Sequence, residues 1–222
     1  DNGAHVISMS LGGPSPDADT RAACQYAKSK GVIVVCAAGN EGPGDGTVGY
    51  PGGYDEVICV ASSNEAGKIS TFSSRGRQVD IAAPGEAIIS TYPGDRLATL
   101  SGTSMATPYV AGLVAVILSD AESKGKPKPD TDKIMDLLQS TAVDLSPPGK
   151  DNASGAGIVD PPKLAAPGGV VPVPPGSGDV VITLDDLTDE ARSRVLSADP
   201  AFQGVTVKRK TGDTVTGEIE EI

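Results

Sequence analysis

The residues best suited to chemistry run Ser101-Gly102-Thr103-Ser104-Met105-Ala106-Thr107-Pro108, followed at once by the small and apolar run Tyr109 to Leu118. The order reads as a turn feeding a buried helix. Gly102 can take backbone angles closed to other residues, and Pro108 is expected in a first helical turn, where a missing N–H costs nothing. A helix beginning near Ser104 would hold that hydroxyl at the positive end of the helix dipole, beside N–H groups with no partner inside the helix. Such a place steadies a developing anion, and a serine attacking a carbonyl carbon creates one. The same residues also suit an ordinary helix cap, for which Ser and Thr are preferred.

Several elements must position this turn. His5 to Ser10 reads as a short strand stopped by Leu11-Gly12-Gly13-Pro14. A helix follows, opened by Pro16 and Asp17, closed by Gly31, with Ala22, Ala23, Tyr26 and Ala27 as its expected apolar face. Val32 to Ala38 is a continuous apolar run that fits a strand buried on both faces of a parallel sheet. Strand, helix and strand make a right-handed crossover. Val57 to Ala61 and Val79 to Ala83 read as further strands, and Ala87 to Tyr92 with Leu97 to Leu100 as a hairpin whose tip is Pro93-Gly94-Asp95. Asp130 is expected to cap a helix reaching Thr141, with Ile134, Leu137, Leu138 and Thr141 on one side. In open parallel sheets ligands bind just past the carboxyl ends of the strands. Leu11-Gly12, Gly39-Asn40 and the Ser104 turn are therefore expected to converge.

The chain has 222 residues, enough for one sizeable core and an appendage. Its formal charge of −11 argues against nucleic acid or an anionic membrane as partner. The run Val110 to Leu118 is too short to span a bilayer. Cys24, Cys36 and Cys59 cannot all pair within the chain, and we expect small buried core residues, not a disulfide framework. A start at Asp1 without a leader suggests a segment of something longer. The expected organisation is a domain over residues 1–160, a Pro/Gly/Val-rich linker over 161–178 and a small acidic α+β extension over 179–222. In that extension Val180 to Leu184 reads as a strand, Asp189 to Ser197 as a helix capped by Thr188, and Thr211-Gly212-Asp213 as a hairpin turn.

The words Gly102 to Pro108, Ala37-Ala38-Gly39-Asn40, Ser10-Leu11-Gly12-Gly13 and Ala83-Pro84-Gly85 occur together in an order that resembles the subtilisin-like serine peptidases, or subtilases. The resemblance covers about Val6 to Asp160, with Phe72-Ser73-Ser74 and Gly155 to Asp160 as further phrases similar to the family's. It implies an α/β fold, a parallel sheet flanked by helices, here incomplete on its amino-terminal side. It also implies peptide-bond hydrolysis with Ser104 as nucleophile, and the Ser104 N–H with the Asn40 side-chain amide as donors to the oxyanion. Asn40 would suit a loop turn as well. A polypeptide substrate would add as an extended strand along Ser10, Leu11 and Gly12, and Ala37, Ala38, Gly39 and Gly49 would wall a pocket for large apolar side chains. Gly52, Tyr54 and Val57 align with a segment whose carbonyls bind a weak cation in some relatives, but no carboxylate cluster supports it, so no metal and no cofactor is expected. Most relatives are secreted, whereas unpaired cysteines favour a cell interior.

The resemblance has a gap. In the family the aspartate and histidine that activate the serine precede it in Asp-Ser/Thr-Gly and His-Gly-Thr words. Neither word is present, and the single histidine, His5, enters a strand and opens no helix. Two readings follow. One is the carboxy-terminal part of a serine endopeptidase, inactive without the missing amino-terminal half of the same domain. The other is a peptide-binding remnant that never cuts.

Overall fold

A computed structural model describes residues 3–145, 147–165 and the short strands at 182–183, 207–208 and 214–215. Four strands, β1 (Val6–Met9), β2 (Ile33–Ala37), β3 (Ile58–Ser63) and β4 (Ile81–Pro84), form a parallel sheet in the order β1-β2-β3-β4. Val6 pairs with Ile33, Val35 with Ile58 and Val60 with Ile81, so each strand carries its neighbour in register. Every residue of β2 and β3 is buried, as continuous apolar runs covered on both faces require.

Helix α1 (Ala18–Ser29) crosses from β1 to β2, and its cap Asp17 accepts from the Thr20 N–H at 2.7 Å. Its buried face differs from the sequence expectation. Cys24 is its buried residue, flanked by half-buried Ala27, while Ala22, Ala23 and Tyr26 face solvent. Alanines offer too little area to decide which side of a helix turns inward, and Cys24 joins Val34, Cys36, Tyr54 and Val57 in one apolar cluster. All three cysteines are free and buried, and burial pushes the Cys36 thiol up to about 12. They remain protonated, small core residues.

The larger core lies on the opposite face of the sheet, under helix α2 (Thr103–Ser123). Ala106, Val110, Val114 and Ile117 of α2 pack with Ile33, Val35, Ile58, Val60 and Ile81. By length and composition α2 could also cross a membrane, but half of its apolar window is buried within the fold. Helix α3 (Thr131–Thr141), capped by Asp130, adds Ile134 and Leu138 to the same core. The stretch expected as a linker opens instead with a five-residue helix, α4 (Pro161–Ala165), which buries Leu164 in that core.

The contacts divide the chain into two units, residues 1–88 with 100–172 and residues 89–99 with 173–222. β5 (Ile88–Tyr92) and β6 (Arg96–Leu100), which fall in the second but for their end residues Ile88 and Leu100, form a hairpin with Gly94 and Asp95 at positive φ in its tip. Strands β7 (Ile182–Thr183), β8 (Val207–Lys208) and β9 (Thr214–Val215) form a three-stranded sheet, β8 and β9 antiparallel. The helix expected over 189–197 with its cap at 188, the turn 211–213 and most of the linker lie outside the described residues.

Candidate active site

Helix α2 starts one residue before Ser104, with Gly102 at the cap position. Pro108 falls in the second turn and not the first, so its missing N–H leaves the Ser104 carbonyl without its helical partner. The hydroxyl of Ser10 fills the vacancy, donating to Ser104 O at 2.8 Å. The end of β1 is thus tied directly to the candidate nucleophile. On the other side the Gly102 N–H donates to Gly85 O at 2.7 Å, and the Ser101 hydroxyl accepts from the Ala87 N–H at 2.9 Å. No side chain fits at Gly85, where a Cβ would stand 2.7 Å from Gly102 O.

Asn40 follows β2 on the loop past its carboxyl end, and its orientation is set by Thr103. The Thr103 N–H and hydroxyl both donate to Asn40 Oδ1, at 3.0 and 3.1 Å, while the same hydroxyl accepts from the Gly39 N–H at 3.2 Å. A backbone N–H can only donate, so the Asn40 atom it meets must be the oxygen, and the amide nitrogen is left for another partner. A Cβ placed on Gly102 would stand 3.6 Å from both Asn40 Nδ2 and Ser104 N. Both nitrogens therefore border the space that glycine keeps open at 102, with Asn40 Oδ1 3.8 Å from the same point. Thr103 was missed from the sequence. Its place in the Gly-Thr-Ser word was visible, but the direction of a buried hydroxyl is not.

Ser10, Leu11, Gly12, Ala37, Ala38, Gly39, Asn40, Gly49 and Ser104 all line one pocket of about 630 Å³. Gly13 pairs with Tyr50 through two backbone hydrogen bonds of 2.9 and 2.8 Å, which brings the loop after β1 against the loop that carries Gly49. A Cβ on Gly49 would meet Gly13 O at 3.1 Å and one on Gly52 would meet Ala37 O at 2.5 Å, so the walls close only because these residues are glycine. Gly39, at φ +113°, leaves room for the Glu41 carboxylate and the Ser74 hydroxyl, which a Cβ would meet at 2.5 and 2.8 Å. Ser74 donates to Glu41 Oε2 at 3.0 Å. Among the described residues Glu41 is the one charged residue in the lining. Behind it the Ser74 N–H donates to Gly39 O and the Gly42 N–H to Phe72 O, so the Phe72-Ser73-Ser74 turn braces the Asn40 loop.

His5 lies at the other end of β1 from Ser10, exposed, its Nε2 accepting from the Lys128 ammonium at 2.8 Å. It is not near the pocket. Among the described residues no three His, Cys, Asp or Glu side chains gather as a metal site, and the Tyr54 carbonyl already accepts from the Val57 N–H at 3.4 Å.

A sequence profile of the subtilase family matches residues 1–157. Subtilisin Savinase of Lederbergia lenta is 40% identical over 159 residues, 72% of this chain and 55% of the relative. The major intracellular serine protease of Bacillus subtilis (strain 168) is 44% identical over 140 residues, 61% of this chain and 44% of the relative. Among solved structures, that of sphericase superposes with a TM-score of 0.63 at 35% identity, over 69% of this chain and 56% of the other. The chain spans about half the length of these relatives.

Proposed function

The chain belongs to the subtilase family, and we propose that it is the carboxy-terminal part of a serine endopeptidase catalytic domain, bearing the nucleophile and the oxyanion donors but not the base. Ser104 attacks the carbonyl carbon of a peptide bond, and the oxyanion that forms meets the Ser104 N–H and the Asn40 amide. The reading is supported above all by the Asn40 amide nitrogen and the Ser104 nitrogen both bordering the space at Gly102, each 3.6 Å from the position a Cβ there would take. Thr103 holds Asn40 so that its N–H groups and not its oxygen meet the developing charge. Donors fixed before the reaction need no reorganisation when charge appears, which is the source of their effect.

The substrate is a polypeptide, added as a strand along Ser10 to Gly12, with the side chain before the scissile bond in the pocket walled by Ala37, Ala38, Gly39 and Gly49. The base must come from elsewhere, since His5 is engaged by Lys128 at the far end of β1. The 222 residues alone are therefore inactive. The test is casein hydrolysis by the chain as it stands and by the product of the reading frame extended upstream of Asp1. Hydrolysis only by the extended protein, lost in Ser104→Ala, is the expected result. An extended protein that binds casein but does not cut it would leave the pocket as a binding groove and end the peptidase reading.

A further inference from the structure

Asp45-Gly46 is the one Asp-Gly pair in the sequence. The two residues stand in the middle of the segment Gly44 to Thr47, whose ends are tied by the Thr47 hydroxyl donating to Gly44 O at 2.8 Å. Gly46 has φ +75°, a left-handed conformation that glycine adopts without steric cost. Both residues are exposed, and a Cβ placed on Gly46 would meet nothing within 4 Å. Other carboxylates of the fold are engaged: N–H groups hold Asp17, Asp130 and Asp151, and lysines hold Asp80 and Asp120. Asp45 has no ion-pair or side-chain hydrogen-bond partner among the described residues. An unheld carboxyl group therefore lies next to a backbone nitrogen that no side chain shields.

The pair also stands at the edge of the pocket, whose lining includes Gly46, Thr47, Val48 and Gly49. This wall is fastened just beyond it. The Thr47 N–H donates to Arg75 O at 3.0 Å, the Thr47 hydroxyl accepts from the Arg75 N–H at 3.0 Å, and the Gly49 N–H donates to Ala38 O at 2.9 Å. We propose that Asp45 isomerises to isoaspartate in the folded protein, and that this modification loosens the Gly46 to Gly49 wall of the pocket. The Gly46 nitrogen attacks Asp45 Cγ, and its proton leaves with the hydroxyl of the protonated carboxyl as water, closing a cyclic imide. Water then adds to the imide carbonyl that came from the main chain, the bond from that carbon to nitrogen breaks, and the chain continues through Cγ. Composition is unchanged and no oxidant or reductant takes part. The backbone is longer by the Asp45 Cβ, and the former main-chain carbonyl becomes a carboxylate beside the pocket. That group is what a carboxyl methyltransferase selective for isoaspartate would recognise. The longer segment moves Gly44 away from Thr47 and breaks the bridge that sets Asp45 beside Arg75. The proposal holds whether the pocket cuts a peptide or only binds one.

The test keeps the purified 222-residue chain folded in warm, near-neutral buffer and follows isoaspartate by enzymatic carboxyl methylation and peptide mass spectrometry. The peptide carrying Asp45, unchanged in mass before labelling, should gain methyl label severalfold over the same peptide from Asp45→Glu, whose longer side chain closes the ring far more slowly. Asn2-Gly3, which reaches the same product with loss of ammonia, is the clock within each sample. Amide hydrogen exchange at Thr47 and Gly49 should quicken severalfold in the isomerised fraction, as their bonds to Arg75 O and Ala38 O weaken. Label confined to the Asn2 peptide overturns the proposal, as does label at Asp45 that arises only in urea-unfolded protein. Isomerised protein whose Thr47 and Gly49 amides exchange at the original rate overturns the effect on the pocket wall. No peptide substrate enters the measurement, so a failure to cleave casein bears on the peptidase reading alone.

Discussion

Pro108 shows how one residue can bind two distant words of the sequence together. Inside α2 it removes the N–H that would have met the Ser104 carbonyl, and the Ser10 hydroxyl, 94 positions away, takes that place at 2.8 Å. The consequence is measurable as a coupling. Ser10→Ala should lower the unfolding free energy by roughly 0.5–1 kcal/mol, the usual net worth of one hydrogen bond near solvent. Pro108→Ala restores the helical N–H, so in that background the loss should shrink by about half or more in a double-mutant cycle read by urea unfolding. Equal losses in both backgrounds would show that Ser10 does not serve the Ser104 carbonyl.

At the far end of α2 a different tension is held. Asp120 has a side chain only 1% exposed, with Oδ2 paired to Lys124 Nζ at 2.8 Å and Oδ1 without a partner. Taking away the lysine leaves a carboxylate among apolar groups with no counter-charge, so Lys124→Ala should cost about 1–3 kcal/mol. Asp120→Leu removes the charge together with its need for a partner and should cost less, or stabilise the fold. The order of the two urea midpoints decides the matter. A larger loss in Asp120→Leu would mean that the carboxylate is worth more to this helix than the burial it forgoes. The same contrast between burial and pairing appears on β4's approach, where burial raises the Asp80 carboxyl although the Cys59 N–H and the Lys150 ammonium favour its charge.

For the molecule as a whole these groups set the response to acid. Asp17 and Asp130 cap their helices, and hydrogen bonds from Thr20 and Lys133 hold both below the usual 3.8. Burial pushes Asp151 and Glu56 up, but the Ser154 and Ala153 N–H groups in the first case, and Gln25 with Arg21 in the second, outweigh it and leave both lowered. A carboxylate whose folded value lies below its unfolded value stabilises the fold above the unfolded value and loses that contribution as pH falls through the folded one. Asp80, raised by burial, works the other way, favouring the fold as it takes up a proton. With four carboxyls lowered against one raised among the described residues, Tm should fall steadily from about pH 5 to about pH 3. Asp151→Asn, which keeps the shape but not the titration, should flatten that fall. A Tm independent of pH over this range would contradict the balance.

The sequence by itself determined the strands, whose unbroken apolar runs admit little else, the helix starts, whose caps act within three residues, and the family, whose words stand in order. Asn40, Ser104, Gly12 and Gly39 were legible as candidates because each sits in such a word, whereas Gly49 stands in none. Only the tertiary structure decided that the Thr103 N–H and hydroxyl both meet Asn40 Oδ1, that Ser10 satisfies the carbonyl orphaned by Pro108, and that Glu41 turns its carboxylate into the pocket wall. It also turned Cys24 inward on α1 in place of the alanines, and folded Pro161–Ala165 as a helix where proline suggested a linker. Periodicity and capping are local, acting over a turn or two of chain. The direction of a side chain is fixed by whatever partner the fold brings to it from far along the sequence, and no window of residues contains that partner.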